Sequence, residues 1–170
     1  VIQCGSYIIP LITVPYLLPI LGPEYYRLIS FATATITYFD LISNYGFNLS
    51  ATKEVSINRK NQNKINEIFS SVMIIRISLM AISFFILSVI IYSIERFSQN
   101  WELYIITFGV VIGEVLFPKW LFQGMERMRF IAYLNFASRF FFALCIFAFV
   151  RDQSDYLLVP LFTSLGSIIT

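Results

Sequence analysis

The sequence contains no histidine, and only 13% of its 170 residues are charged. The missing imidazole excludes histidine-ligated zinc and histidine-dependent catalytic triads. A soluble domain carries about 25% charge, so about half that share excludes an ordinary water-facing surface. The net charge of +2 is too small to point to nucleic acid, and no basic, aromatic-interleaved patch supports such a partner. Cysteine is also scarce. Cys4 and Cys145 lie inside apolar runs, where they read as small packing residues rather than a disulfide. No metal site and no cofactor is expected.

What is present is apolar. The chain is 58% hydrophobic and 18% aromatic, with a mean hydropathy of +0.75. A bilayer accepts such surface, and helices satisfy their own backbone within it. The fold class expected is therefore all-α, a polytopic helical membrane protein. The chain starts at Val1 and stops at Thr170, both inside apolar stretches, which reads as a fragment of a longer protein. Its first stretch lacks the basic leader and small-residue cleavage site of a signal peptide.

Six spans are expected, at about 1–21, 28–50, 68–94, 102–122, 130–150 and 157–170. The first carries Pro10, Pro15 and Pro19, so it is kinked or interrupted. Gly22-Pro23-Glu24 reads as a turn. In the second span Ser30, Thr33, Thr37, Asp40 and Asn44 step by three and four residues, which places them on one helical face. Lys53 to Glu67 reads as a polar loop. Trp101 and Trp120 fall at expected interfaces and read as belt residues. Phe140 to Phe142 read as lipid-facing or packing.

Orientation follows from Lys and Arg. The loops after spans two and four hold Lys53, Arg59, Lys60, Lys64, Lys119, Arg127 and Arg129; the other turns hold Arg27, Arg96 and Arg151. The positive-inside rule puts the larger set, and the N-terminus, in the cytoplasm. The loop lysines and arginines read as topology determinants and headgroup contacts.

Asp40, Arg76, Glu114 and Arg139 are ionisable residues inside spans. Each costs roughly 2.5–3.5 kcal/mol at a helix centre on insertion scales, so each must face protein or water. At 1.5 Å rise per residue, Arg76 and Glu114 lie about 12 Å, Arg139 about 13 Å and Asp40 about 15 Å from the cytoplasmic ends of their spans. That is one shared layer. Asn135 sits one turn before Arg139 on the same face. Two readings stay open. One is a pair of structural ion pairs, each carboxylate with an arginine. The other is a watery cavity in which arginines bind an anionic substrate and a carboxylate binds a coupling cation or proton.

Phe117-Pro118-Lys119-Trp120-Leu121-Phe122-Gln123-Gly124-Met125-Glu126, followed by a new apolar span, resembles the Wzx-type O-antigen flippases. The stretches Tyr38 to Leu41, Asn44 to Leu49 and Ala51 to Val55, and the opening Pro15 to Gly22, are similar to the same family. The resemblance covers most of the chain. It implies a larger transporter of two related six-helix bundles, of which this chain is most of the N-terminal one. It implies an inner-membrane protein, not an enzyme, that moves undecaprenyl-pyrophosphate-linked repeat units to the periplasmic leaflet. Its partners would be that lipid-linked oligosaccharide, membrane lipids, a polysaccharide polymerase and a chain-length regulator. Arg76 and Arg139, with Asn135, Asn44 and Thr37, would be the substrate-binding candidates. Asp40 and Glu114 would be the coupling or gating candidates. The alternatives are a membrane-embedded polymerase or glycosyltransferase, and a related exporter of drugs or lipid II.

Overall fold

The computed structural model describes residues 2–126 and 128–169, and their side chains except at 2–12, 128–132, 136 and 139. The described residues are helical and contain no strand. Helix α1 (Ile2–Asn44) is broken once, at Gly22, whose φ of 74° and ψ of 165° only glycine adopts readily. The sequence suggested a turn over Gly22 to Glu24 and a new span near Leu28. Helix instead resumes at once. Pro23 follows the break in the first turn of the new segment, where a missing N–H costs nothing.

Tyr45 (φ 29°) and Gly46 (φ 74°) then turn the chain away from α1. Helix α2 (Phe47–Ile57) follows, and α3 (Gln62–Ser93) starts from Asn61, whose side chain accepts from the Lys64 N–H at 3.2 Å. Most of the expected 53–67 loop is therefore helix. Ala51 and Val55, one turn apart, give α2 a buried face that a reading by polarity alone misses.

The short α4 (Glu95–Ser98) leads to α5 (Trp101–Leu116). Phe117 is extended (φ −87°, ψ 111°) because it precedes Pro118, and this ends α5. The fourth expected span is thus split, with α6 (Lys119–Gly124) forming an elbow. Helix α7 (Met128–Phe149), a 3-10 turn (Gln153–Leu157) and α8 (Leu158–Ile169) complete the order. Among the described residues two stretches, Gln62–Ser93 and Trp101–Gly124, are long and apolar enough to cross a membrane. Ile74, Phe85 and Val89 on α3 are exposed, as side chains facing lipid would be.

The two ends of α3 mark two clusters. Near Ser93, the Phe31 ring lies 5.9 Å from the Phe97 ring and 5.1 Å from the Arg96 guanidinium. The Gly22 break lies beside Gln153, and Tyr25 stacks 4.8 Å from Tyr156. Near Gln62, Arg59 Nε donates to the Gly124 carbonyl at 2.7 Å, and Thr52 Oγ1 donates to the Trp120 carbonyl at 3.2 Å. Trp120 is fully buried against Ala51, Val55 and Phe69. It is a packing residue of the elbow and not an interfacial belt residue; Trp101 is half exposed.

Between the clusters, Leu21, Ile36, Leu87, Leu103, Val111 and Val150 form the core. Helices α5 and α8 pack most closely. A Cβ on Gly113 would lie 2.3 Å from the Ser167 carbonyl carbon. Small residues that let backbones approach are the usual glue of membrane helices. Ser164 Oγ, donating to the Ile106 carbonyl at 2.6 Å, adds a bond between the two helices. Phe142 packs beneath α8 at Gly166, while Phe140 and Phe141 are exposed.

Candidate functional site

The polar stripe of α1 divides by role. Thr33 and Thr37 donate to the carbonyls of Ile29 and Thr33 at 2.8 Å, so their hydroxyls are satisfied within the helix. Ser30, Thr33 and Thr37 line a cavity of about 820 Å³ bounded by α1, α5, α7 and α8. Asn135, Glu114 and Lys119 also line it, among mostly apolar side chains. The volume is in the range of ligand-binding cavities, roughly 300–1,000 Å³.

The last two members of the stripe do not face the cavity. Asn44 Nδ2 donates to Asp40 Oδ1 at 2.8 Å, and Asn44 Oδ1 accepts from Arg76 Nη2 at 2.6 Å. The same Nη2 donates to the Glu114 carbonyl at 2.6 Å. That carbonyl belongs to the last turn of α5, where Pro118 leaves no N–H to fill it. Arg76 therefore caps the frayed end of α5 and ties it to α1 through Asn44. It is only 1% exposed, and its Nε and Nη1 have no hydrogen-bond partner among the described residues.

The Glu114 carboxylate turns the other way. Lys119 Nζ donates to Oε1 at 2.6 Å and to Oε2 at 2.5 Å. The break at Phe117-Pro118 brings the two residues together. Five positions apart, they would lie on different faces of a continuous helix. Each is about a quarter to a third exposed, at 27% for Lys119 and 30% for Glu114.

These contacts show what partners Asp40, Arg76 and Glu114 among the described residues. Neither Asp40 nor Glu114 forms a salt bridge with Arg76 among the described residues; Glu114 is paired to Lys119, and Asp40 is bonded to Asn44. Of the two readings left open by sequence, the pairing of a carboxylate with Arg76 is not seen among the described residues: Asn44 stands between Arg76 and Asp40, and Lys119 holds Glu114. Asp40, Asn44, Arg76 and Glu114 are joined, but only Glu114 of these reaches the cavity. Thr37 and Asn135 line the same cavity as Glu114. Arg139 lies on α7, and its side chain is outside the described residues. Arg127 lies outside them as well. Lys119 is the group that sequence reasoning missed. It counted only as a topology residue, and the proline before it was the available signal that the helix folds back there.

The sequence profile of the polysaccharide biosynthesis protein family matches residues 1–170. The chain belongs to this family. Among curated relatives it is 31% identical over 155 residues to an Escherichia coli K12 protein named "Putative O-antigen transporter". It is 29% identical over 159 residues to a Shigella dysenteriae protein of the same name. These matches cover 91% and 94% of the chain but 37% and 39% of the relatives, so the chain spans well under half of their length. No solved structure matches it.

Proposed function

We propose that the chain forms most of the N-terminal bundle of a transporter that carries lipid-linked polysaccharide repeat units across the bacterial inner membrane. In this reading the loops rich in Lys and Arg and the N-terminus face the cytoplasm. The lipid tail stays in the bilayer while the head group crosses a polar cavity by alternating access. The protein acts as a transporter, with chain assembly left to a separate polymerase and chain-length regulator.

The observation that carries this reading is a cation at the wall of a mostly apolar cavity. A pyrophosphate needs such a charge, and hydroxyls and amides such as Thr37 and Asn135 suit sugars. Lys119 is the contact proposed for the diphosphate. Glu114 holds it until the substrate anion displaces the carboxylate. The buried Arg76, with two unpartnered nitrogens (Nε and Nη1) beside the Glu114 backbone, is the proposed acceptor of the released carboxylate. Asp40 and Asn44 keep Arg76 in place, and Arg139 is a further candidate on α7.

The test is to express the full-length protein in a strain lacking its own repeat-unit transporter. Restored surface polysaccharide, with the lipid-linked unit no longer accumulating on the cytoplasmic leaflet, is the expected result. Full membrane insertion with no restoration of any repeat unit overturns the reading.

A further inference from the structure

Helix α2 has one buried face and one that none of the described residues covers. Ala51 and Val55 are buried against the α6 elbow. On the opposite side Leu49, Lys53 and Ile57 follow one another at four-residue steps, and all three are exposed. Leu49 is 83% exposed and Ile57 67%. Tyr45 is exposed in the turn before α2, and Lys60 is exposed in the turn after it.

The basic residues of this end divide in two. Arg59 is bonded to the Gly124 carbonyl and to Glu126, and Lys64 pairs with Glu67. Lys53 and Lys60 have no partner for their ammonium groups among the described residues. The left-handed turn at Tyr45 and Gly46 keeps α2 from continuing α1. An exposed face of Leu49, Lys53 and Ile57, flanked by Tyr45 and Lys60 and leaving the end of an apolar helix, has the chemistry of a bilayer interface. The apolar side chains enter the acyl boundary while the lysines reach up to headgroups.

We propose that α2 lies in the membrane interface and that its Leu49–Lys53–Ile57 face, flanked by Tyr45 and Lys60 in the adjoining turns, binds anionic phospholipid. The occupant is a lipid surface carrying negative headgroups. The two unpaired lysines supply the charge complementarity, and the end of α1 supplies continuity with the bilayer. Each lysine near such a surface contributes about fivefold in local affinity. The proposal concerns the outer face of α2 and holds whichever solute the cavity carries.

The experiment places a fluorescent label at Leu49→Cys, Ile57→Cys or Glu54→Cys of the full-length protein, in a background without other cysteines. The protein is reconstituted in nanodiscs of phosphatidylcholine with or without phosphatidylglycerol. Lipids nitroxide-labelled near the headgroup should quench positions 49 and 57 and spare position 54. In a second measurement on unlabelled protein, phosphatidylglycerol should raise the thermal midpoint of the wild type. That rise should be lost in Lys53→Gln/Lys60→Gln, with the midpoint in pure phosphatidylcholine unchanged. Labels at 49 and 57 as water-exposed as at 54 overturn the proposal. So do labels that are shielded from water yet unquenched by lipid, which would mean that another part of the protein covers the face. Equal stabilisation of wild type and double variant by phosphatidylglycerol overturns the role of the lysines.

Discussion

Lys119 holds both carboxylate oxygens of Glu114, at 2.6 and 2.5 Å, across the Phe117-Pro118 break. The pair sits at the wall of the cavity, where either partner alone would leave a charge facing a mostly apolar surface. Removing one partner should therefore cost more than removing both. Lys119→Ala should lower surface polysaccharide in the complementation assay by tenfold or more, on the order of 1.4 kcal/mol per factor of ten. Glu114→Gln should bind undecaprenyl pyrophosphate more tightly than wild type and export more slowly. Unchanged export in both variants would remove the pair from the mechanism.

Arg76 joins α1 to the end of α5 through one nitrogen, and it does so in a buried position. Hydrogen bonds to a charged group contribute about 1.5–3 kcal/mol each. Arg76→Ala should lower the thermal midpoint of the purified protein, and Asn44→Ala should lower it less. In a double-mutant cycle the two losses should fall short of additive, because both remove the same bond. Strict additivity would mean that the bond is not formed.

Gly113 is fixed by close approach. Any Cβ there meets the Ser167 backbone, which cannot move aside as a flexible side chain could. Gly113→Ala should destabilise by about 1–3 kcal/mol, the usual cost of overpacking, and Gly113→Val by more. Thermal unfolding in detergent measures this directly. A neutral Gly113→Val would show that α5 and α8 are not in contact.

The Arg59–Glu126 pair, at 2.8 Å, lies outside the spans and joins the α2–α3 connection to the elbow. Hydrogen bonding and charge from Arg59 hold the Glu126 carboxyl below the ordinary value of 4.5. A depressed carboxyl pKa stabilises the fold above the unfolded value, and the contribution is lost as pH falls through the folded value. The tie should thus be intact at neutral pH and weaken only below about 4.5. The site is exposed and screened, so its share of stability is small. Glu126→Gln should abolish this part of the acid dependence, measured as the difference in thermal midpoint between pH 7 and pH 3.5. An identical difference in wild type and variant would contradict it.

Composition alone determined that the chain is helical and apolar enough for a membrane. The low charge and the long apolar runs suit a membrane, and a helix satisfies its own backbone there. The four-residue spacing of Ser30 to Asn44 was legible as one face because a helix repeats every 3.6 residues. The segment Phe117 to Glu126 was legible as resembling a family. Partner choice was not legible, because it depends on where two helices cross. Arg76 met Asn44 and a backbone carbonyl in place of a carboxylate because α3 passes the frayed end of α5. Glu114 met Lys119 because Pro118 breaks the helix between them, and Trp120 left the interface because α2 folded over it. Sequence fixes periodicity and local breaks through short-range sterics. Only the packing of separate helices decides which buried charge finds which partner.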